Sequence, residues 1–84
     1  MRHATEQDLA GIATLLDEVR TVPGLTERKV GVFYRKSRAF LHFHEDDGKL
    51  FADVRLTGVD FDRVPVTSRA AQKQLLQSIR RVLK

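Results

Sequence analysis

The chain has 84 residues, of which 42% are hydrophobic, and a formal net charge of +4. This length suffices for one small hydrophobic core, so we expect a single domain over residues 1–84. The absence of cysteine excludes disulfides and thiolate metal sites. No run of about 18 apolar residues occurs, and no apolar segment follows Met1-Arg2-His3, so the sequence predicts neither a membrane helix nor a signal peptide and favours a cytoplasmic protein.

Charged residues are unevenly distributed along the chain. Residues 20–38 carry six basic side chains and one acidic one, whereas residues 45–63 carry six acidic and three basic ones. Residues 69–84 add five basic side chains and no acidic one. Such asymmetry can steer a polyanion toward one end of a small basic protein. The more conservative interpretation is that Arg80, Arg81 and Lys84 complement the dipole of their own helix and keep the protein soluble.

A helix is predicted near each end of the chain. Thr5 precedes Glu6-Gln7-Asp8, a pattern typical of an N-cap followed by acidic residues in the first turn. Apolar residues at helical spacing follow, and Pro23-Gly24 ends the helix. The second helix starts near Thr67 or Ser68 and runs to the C-terminus. The apolar stripes consist of Leu9, Ile12, Ala13, Leu16 and Val19 in the first helix and Ala71, Leu75, Leu76, Ile79, Val82 and Leu83 in the second.

Between the helices the apolar period changes to two, which predicts β-strands. Three runs alternate, 30–34, 39–44 and 50–56, and they are joined by two-residue turns at Lys36-Ser37 and Asp47-Gly48. A fourth short segment is expected around residues 59–61, at an edge of the sheet because Pro65 follows it. We therefore predict an α+β fold with two layers. It has an antiparallel meander of three or four strands, in the order α-β-β-β-(β)-α, with the N-terminal and C-terminal helices packed on one face.

The two turns also predict the register of the strands. The Asp47-Gly48 turn places His42 opposite Asp53, and the Lys36-Ser37 turn places Val32 opposite Leu41. The face toward the helices then carries Val30, Val32, Tyr34, Ala39, Leu41, Phe43, Leu50, Ala52, Val54 and Leu56. The opposite face, called the outer face below, carries Lys29, Gly31, Phe33, Phe40, His42, His44, Phe51, Asp53 and Arg55.

Three phenylalanines on the outer face are unexpected, because a face turned away from the helices is usually polar. Exposed aromatic clusters mark contact surfaces. We therefore expect a non-enzymatic binding or interaction module whose outer face meets a protein partner, including a second copy of the chain. The candidate binding residues are Phe33, Phe40, His42, His44, Phe51, Asp53 and Arg55.

Two alternatives stay open. Aromatic residues flanked by basic ones, Lys29, Arg35, Arg38 and Arg55, would suit nucleic-acid binding by base stacking. A cross-strand pair of His42 and Asp53 could instead act as a general base in a small enzyme. No nucleophile or electrophile stabiliser accompanies this pair, so no catalytic residue is assigned, and a polar pair that stabilises the sheet is favoured.

A metal site on the same face is a further alternative. His42 and His44 lie on one side of a strand, and Asp53 would complete a two-histidine, one-carboxylate ligand set. A His-x-His pair on a strand is weak evidence, and only Asp46 offers a fourth ligand. Alternating aspartates at Asp60 and Asp62 more often protect a sheet edge. The sequence therefore predicts no metal and no cofactor.

The stretch AFLHFHEDDGKLFADVRL, residues 39–56, contains an F-x-H-F-H strand, an acidic turn with glycine and a strand ending in D-V-R-L. It resembles the small family catalogued as the luciferase domain, a name that implies no light-emitting chemistry here. The resemblance implies that His42, His44, Asp53 and Arg55 fall on recurring positions of that family. The wider order of elements is similar to the YjbR type of α+β domain, for which DNA binding has been suggested on fold grounds.

Overall fold

The computed structural model describes residues 2–83. Over this range the chain forms a mixed α+β fold, which confirms the predicted class. The six strands exceed the three or four predicted. In chain order the elements are β1 (Arg2–His3), α1 (Glu6–Ala10), α2 (Ala13–Arg20), β2 (Leu25–Lys29), β3 (Val32–Arg35), β4 (Arg38–Asp46), β5 (Lys49–Val54), β6 (Asp62–Pro65) and α3 (Arg69–Val82).

All strand pairs are antiparallel, in the order β2-β3-β4-β5-β6, and β1 pairs with β4. Strand β4 has nine residues and β3 only four. The C-terminal half of β4 therefore extends beyond β3, and β1 satisfies its backbone groups there, with His3 opposite His44. The expected edge strand lies at 62–65 rather than 59–61, with Pro65 as its last residue.

The first helix is interrupted, contrary to prediction. Thr5 caps α1 as expected, since its side chain accepts from the Asp8 amide and the Asp8 carboxylate accepts from the Thr5 amide at 2.9 Å. Glycine disfavours a helix interior, and the helical path breaks at Gly11 and Ile12 before α2 begins. The start of α3 is as predicted, because the Ser68 side chain accepts from the Ala71 amide at 3.1 Å.

The three helices and the inner face of the sheet form one hydrophobic core. The four inner-face predictions at the centre of the sheet are confirmed, because Leu41, Phe43, Ala52 and Val54 are buried. The prediction for Val30 is wrong, since it is 53% exposed. None of the helices in residues 2–83 combines the length and apolar character needed to span a bilayer. The buried core residues are Leu9, Ile12, Leu15, Leu16, Val19, Val22, Phe33, Phe40, Leu41, Phe43, Ala52, Val54, Val66, Leu75, Leu76 and Ile79.

The predicted register between β4 and β5 is confirmed. His42 pairs with Asp53 and His44 with Phe51. Both turn residues, Asp47 and Gly48, have positive φ, 54° and 78°, as a type I′ turn requires. A two-residue turn thus places the histidines and Asp53 on one face.

The predicted register between β3 and β4 is wrong beyond the first two pairs. Arg35 pairs with Arg38 and Tyr34 with Ala39 as expected, but a bulge makes Phe33 pair with Leu41 and leaves Phe40 as an extra residue on β4. An extra residue shifts the alternation of side chains by one position. Phe33 and Phe40 consequently lie in the core, 1% and 2% exposed, and the prediction that they lie on the outer face is wrong. Burying a phenylalanine side chain stabilises the fold by about 1.5–3 kcal/mol, which favours the bulged arrangement.

Candidate metal centre on the outer sheet face

The outer face is built by four strands whose registers place polar side chains together. His42 and His44 come from β4, and Asp53 lies opposite His42 on β5. Strand β1 adds His3 opposite His44, and β6 adds Arg63 opposite Asp53. Only Phe51 remains of the three phenylalanines predicted here, so imidazoles rather than aromatic hydrocarbons dominate this face.

His3, His42 and His44, called the histidine trio below, include every histidine of the chain. The ring centroids lie 4.5 Å apart for His3 and His44 and 5.0 Å apart for His42 and His44. One ring nitrogen of each residue lies within 4.8 Å of the others. A tetrahedral zinc ion with Zn–N bonds of about 2.0–2.1 Å separates its ligand atoms by about 3.3 Å, so side-chain rotations that close at most about 1.5 Å would complete a site.

Asp53 is a buried carboxylate held by Arg63. The residue is 6% exposed, and the Arg63 guanidinium donates to both of its oxygens, at 2.8 and 3.0 Å. These hydrogen bonds lower the pKa of the Asp53 carboxyl below its usual range, against the opposing effect of burial. Asp53 is therefore ionised at neutral pH and provides a fixed negative charge beside the trio.

The imidazoles nearest Asp53 are poor proton acceptors. Removal from water lowers the pKa of both His42 and His44, although the Asp53 charge acts in the opposite direction. Both rings are therefore neutral at pH 7. A neutral imidazole has a free nitrogen lone pair, which is the form that binds metal ions.

The Nδ1 atoms of His42 and His44 lie 3.9 and 2.9 Å from Asp53 Oδ2. The shorter contact is close enough for the Asp53 carboxylate to hold the His44 ring by its Nδ1. Within residues 2–83, the Nδ1 atom of His42 is buried without a hydrogen-bond partner. Buried polar atoms nearly always have a partner, and an ion is one of the groups that accounts for an exception.

A loop shields one side of the trio. The Phe61 ring meets His42 edge-on at 4.9 Å, and the Arg55 guanidinium stacks over Phe61 at 4.3 Å. Arg55 also donates to the carbonyls of Ala39 and Val59, at 3.0 and 2.6 Å. Arg55, which the sequence placed among the binding residues, therefore holds the loop, while Arg63 neutralises Asp53.

Sequence reasoning missed three contributors to this site. His3 lies in a strand of two residues, which is too short to show alternation. Phe61 lies in a loop of irregular length and Arg63 follows it, so no turn predicted where either residue lies relative to β5. The pairing of imidazole and carboxylate also differs, because Asp53 lies closer to His44 than to His42.

No protein-family model, curated protein or solved structure matches this chain. The resemblances to the luciferase-domain family and to the YjbR order of elements stay predictions from the sequence.

Proposed function

We propose that the protein is a small binding module whose ligand is a divalent transition-metal ion of the zinc class, held by the histidine trio. The observation that supports the proposal is the convergence of three ring nitrogens within 4.8 Å, from two strands that are distant in sequence. This proposal keeps the binding role that the sequence predicts and places it on the same outer face of the sheet. It differs in the ligand, which is an ion rather than a protein.

The chemistry of the trio suits such an ion. Imidazole nitrogens favour zinc, cobalt, nickel and copper over magnesium and calcium. Because the pKa values of His42 and His44 are lowered, protons compete weakly with a metal at neutral pH. Three histidines leave a fourth position for water or another ligand, as in zinc sites that exchange ligands.

Asp53 supports the trio without serving as a ligand itself. Its carboxylate faces His44 Nδ1 at 2.9 Å, and carboxylates in this position fix the orientation of a ligating imidazole and raise its basicity. Both oxygens are already engaged by Arg63, which leaves them less able to coordinate an ion. The interface prediction depended on three outer phenylalanines, and the nucleic-acid prediction on these together with basic side chains. Two of the three phenylalanines lie in the core.

The test is a zinc titration of the metal-free protein by calorimetry, with cobalt absorption as a measure of ligand geometry. We expect one ion per chain, tetrahedral cobalt bands, and movement of all three histidine ring signals in NMR spectra. His3→Gln and His44→Gln should each weaken binding strongly, whereas Asp60→Asn, which removes an exposed carboxylate outside the trio, should not. Wild-type affinity in His3→Gln, or histidine signals that do not move with zinc, would contradict the proposal.

A further inference from the structure

A second feature lies at the turn between β3 and β4. A cleft of about 320 Å³ is lined there by four basic side chains, Arg35, Lys36, Arg38 and Arg55, and by no acidic one. This cationic cleft falls at the lower end of the volumes of small-molecule sites, about 300–1,000 Å³. The residues that line the cleft do not include any member of the histidine trio.

The backbone of the turn brings like charges together. Arg35 lies directly opposite Arg38, and like charges in such a cross-strand pair destabilise a sheet. Lys36 lies between them with a φ of +59°, a conformation that L side chains rarely adopt. Three cations in four residues thus oppose the stability of this turn, and an anion bound between them would offset the repulsion.

The arginines of the cleft differ from four other arginines of the chain in how they are held. Arg55 donates to the Ala39 and Val59 carbonyls, and Arg38 donates to the Gly58 carbonyl at 3.1 Å. These bonds orient each guanidinium, and they leave its charge and several of its five N–H donors free. Within residues 2–83 no carboxylate forms an ion pair with the cleft's basic residues. In contrast, carboxylates pair with Arg2, Arg20, Arg63 and Arg69.

We propose that the cationic cleft binds a phosphate group. A carboxylate would neutralise only one of the four positive charges of the cleft. A phosphate group carries up to two negative charges, and its oxygens are spaced for bidentate contact with a guanidinium group. The same group is presented by a free phosphate compound and by the backbone of a nucleic-acid strand. The volume of the cleft admits either a small phosphate compound or one nucleotide of a nucleic-acid strand.

The test measures binding of pyrophosphate and of a single-stranded oligonucleotide to the metal-free protein, by calorimetry in chloride buffer of fixed ionic strength. Arg35→Gln with Arg38→Gln is compared with Arg80→Gln and Arg81→Gln, which removes the same charge from the exposed end of α3. We expect the cleft variant to lose about tenfold or more in affinity, as for lost hydrogen bonds to a charged group, and the α3 variant to bind like the wild type. Circular dichroism checks that both variants keep the fold.

The two probes separate the sources of the phosphate. Tighter binding of the oligonucleotide, with a steep decrease in affinity as salt increases, assigns the cleft to nucleic acid. Equal or tighter binding of pyrophosphate assigns it to a small phosphate compound. If neither probe binds, or if the cleft and α3 variants lose affinity equally, the proposal is wrong. Because the protein is metal-free, this outcome is independent of the histidine trio.

Discussion

At the scale of single residues, Asp53 connects the structural and functional roles of the outer face. It is buried, ionised and shared between Arg63 and the two histidines of β4. A buried carboxylate without a cation would be costly, so Arg63 allows Asp53 to remain charged there. Its charge raises the pKa of the imidazoles of His42 and His44. Their removal from water lowers the pKa by more, so both rings stay neutral.

Replacing Asp53 by Asn should weaken zinc binding by about 10–100-fold, because the carboxylate that orients His44 is lost while the trio remains. The affinity can be measured by competition with a chromophoric chelator. Asp62→Asn, an exposed change on β6, serves as the control and should have no effect. Equal affinities in Asp53→Asn and the wild type would show that the carboxylate does not support the site.

Phe40 is a second residue at this scale, and its contribution to stability depends on its burial in the core. Because it is 2% exposed in the core, Phe40→Ala should lower the free energy of unfolding by about 3–5 kcal/mol. Phe51→Ala, at a half-buried position beside His44, should cost clearly less. Urea denaturation measures both values. A small effect of Phe40→Ala on stability would instead indicate that this side chain lies on the outer face, as the sequence predicted.

At the scale of elements, Glu27 joins the helical layer to the sheet. Its carboxylate accepts two hydrogen bonds from Arg20 at the end of α2, at 2.7 and 2.9 Å. It also accepts from the Gly31 amide, at 2.9 Å, across the turn between β2 and β3. Gly31 has a φ of +79°, and an added Cβ would lie 3.0 Å from Leu9 Cδ1, so this turn requires glycine.

The Arg20 contact, followed by the Gly31 amide, lowers the pKa of Glu27 below its usual value. A lowered pKa in the folded state stabilises the protein above the ordinary value of about 4.3, and this stabilisation is lost as the pH falls through the folded value. Glu27→Gln should therefore cost about 1 kcal/mol at neutral pH, allowing for solvent screening of Arg20, and progressively less in acid.

The measurement is the free energy of unfolding in urea as a function of pH. Asp17→Asn is the matched control, since Asp17 contacts the same Arg20 at 2.9 Å but its side chain is 76% exposed. It should change stability little at any pH. A deficit in Glu27→Gln that is equally large in acid and at neutral pH would assign the effect to packing rather than to the charge.

At the scale of the whole molecule, the proposed metal ion would link the first strand to the centre of the sheet. Strand β1 has two residues and two cross-strand partners on β4, so its intrinsic contribution to stability is small. A ligand that binds only the folded state increases stability by mass action. Because His3 supplies one ligand, the increase depends on β1 remaining docked.

Zinc at 100 times its dissociation constant should raise the free energy of unfolding by about 2.7 kcal/mol. Urea denaturation with and without zinc measures the increase, and magnesium, which prefers oxygen ligands, should not produce it. His3→Gln should lose most of the effect while keeping the metal-free stability of the wild type. An equal increase with magnesium, or an unchanged one in His3→Gln, would point to binding elsewhere.

Local patterns predicted much of this arrangement. The capping residues Thr5 and Ser68 act on amides within one turn, and the Asp47-Gly48 turn acts on the adjacent strands, so their effects are visible in short stretches of sequence. They were sufficient for the α+β class, for the inner-face positions of Leu41, Phe43, Ala52 and Val54 and for the pairing of His42 with Asp53. They also placed His42, His44 and Asp53 on one face.

Contacts between distant residues decided the rest. The bulge at Phe40 arises because burial of two phenylalanines outweighs regular alternation, and no local pattern shows that balance. His3 reaches the trio only because β4 is longer than β3, and Arg63 reaches Asp53 across an irregular loop. The sequence by itself determined the class of fold and one strand pair of the site. Packing free energy, which depends on the whole chain, determined which side chains complete it.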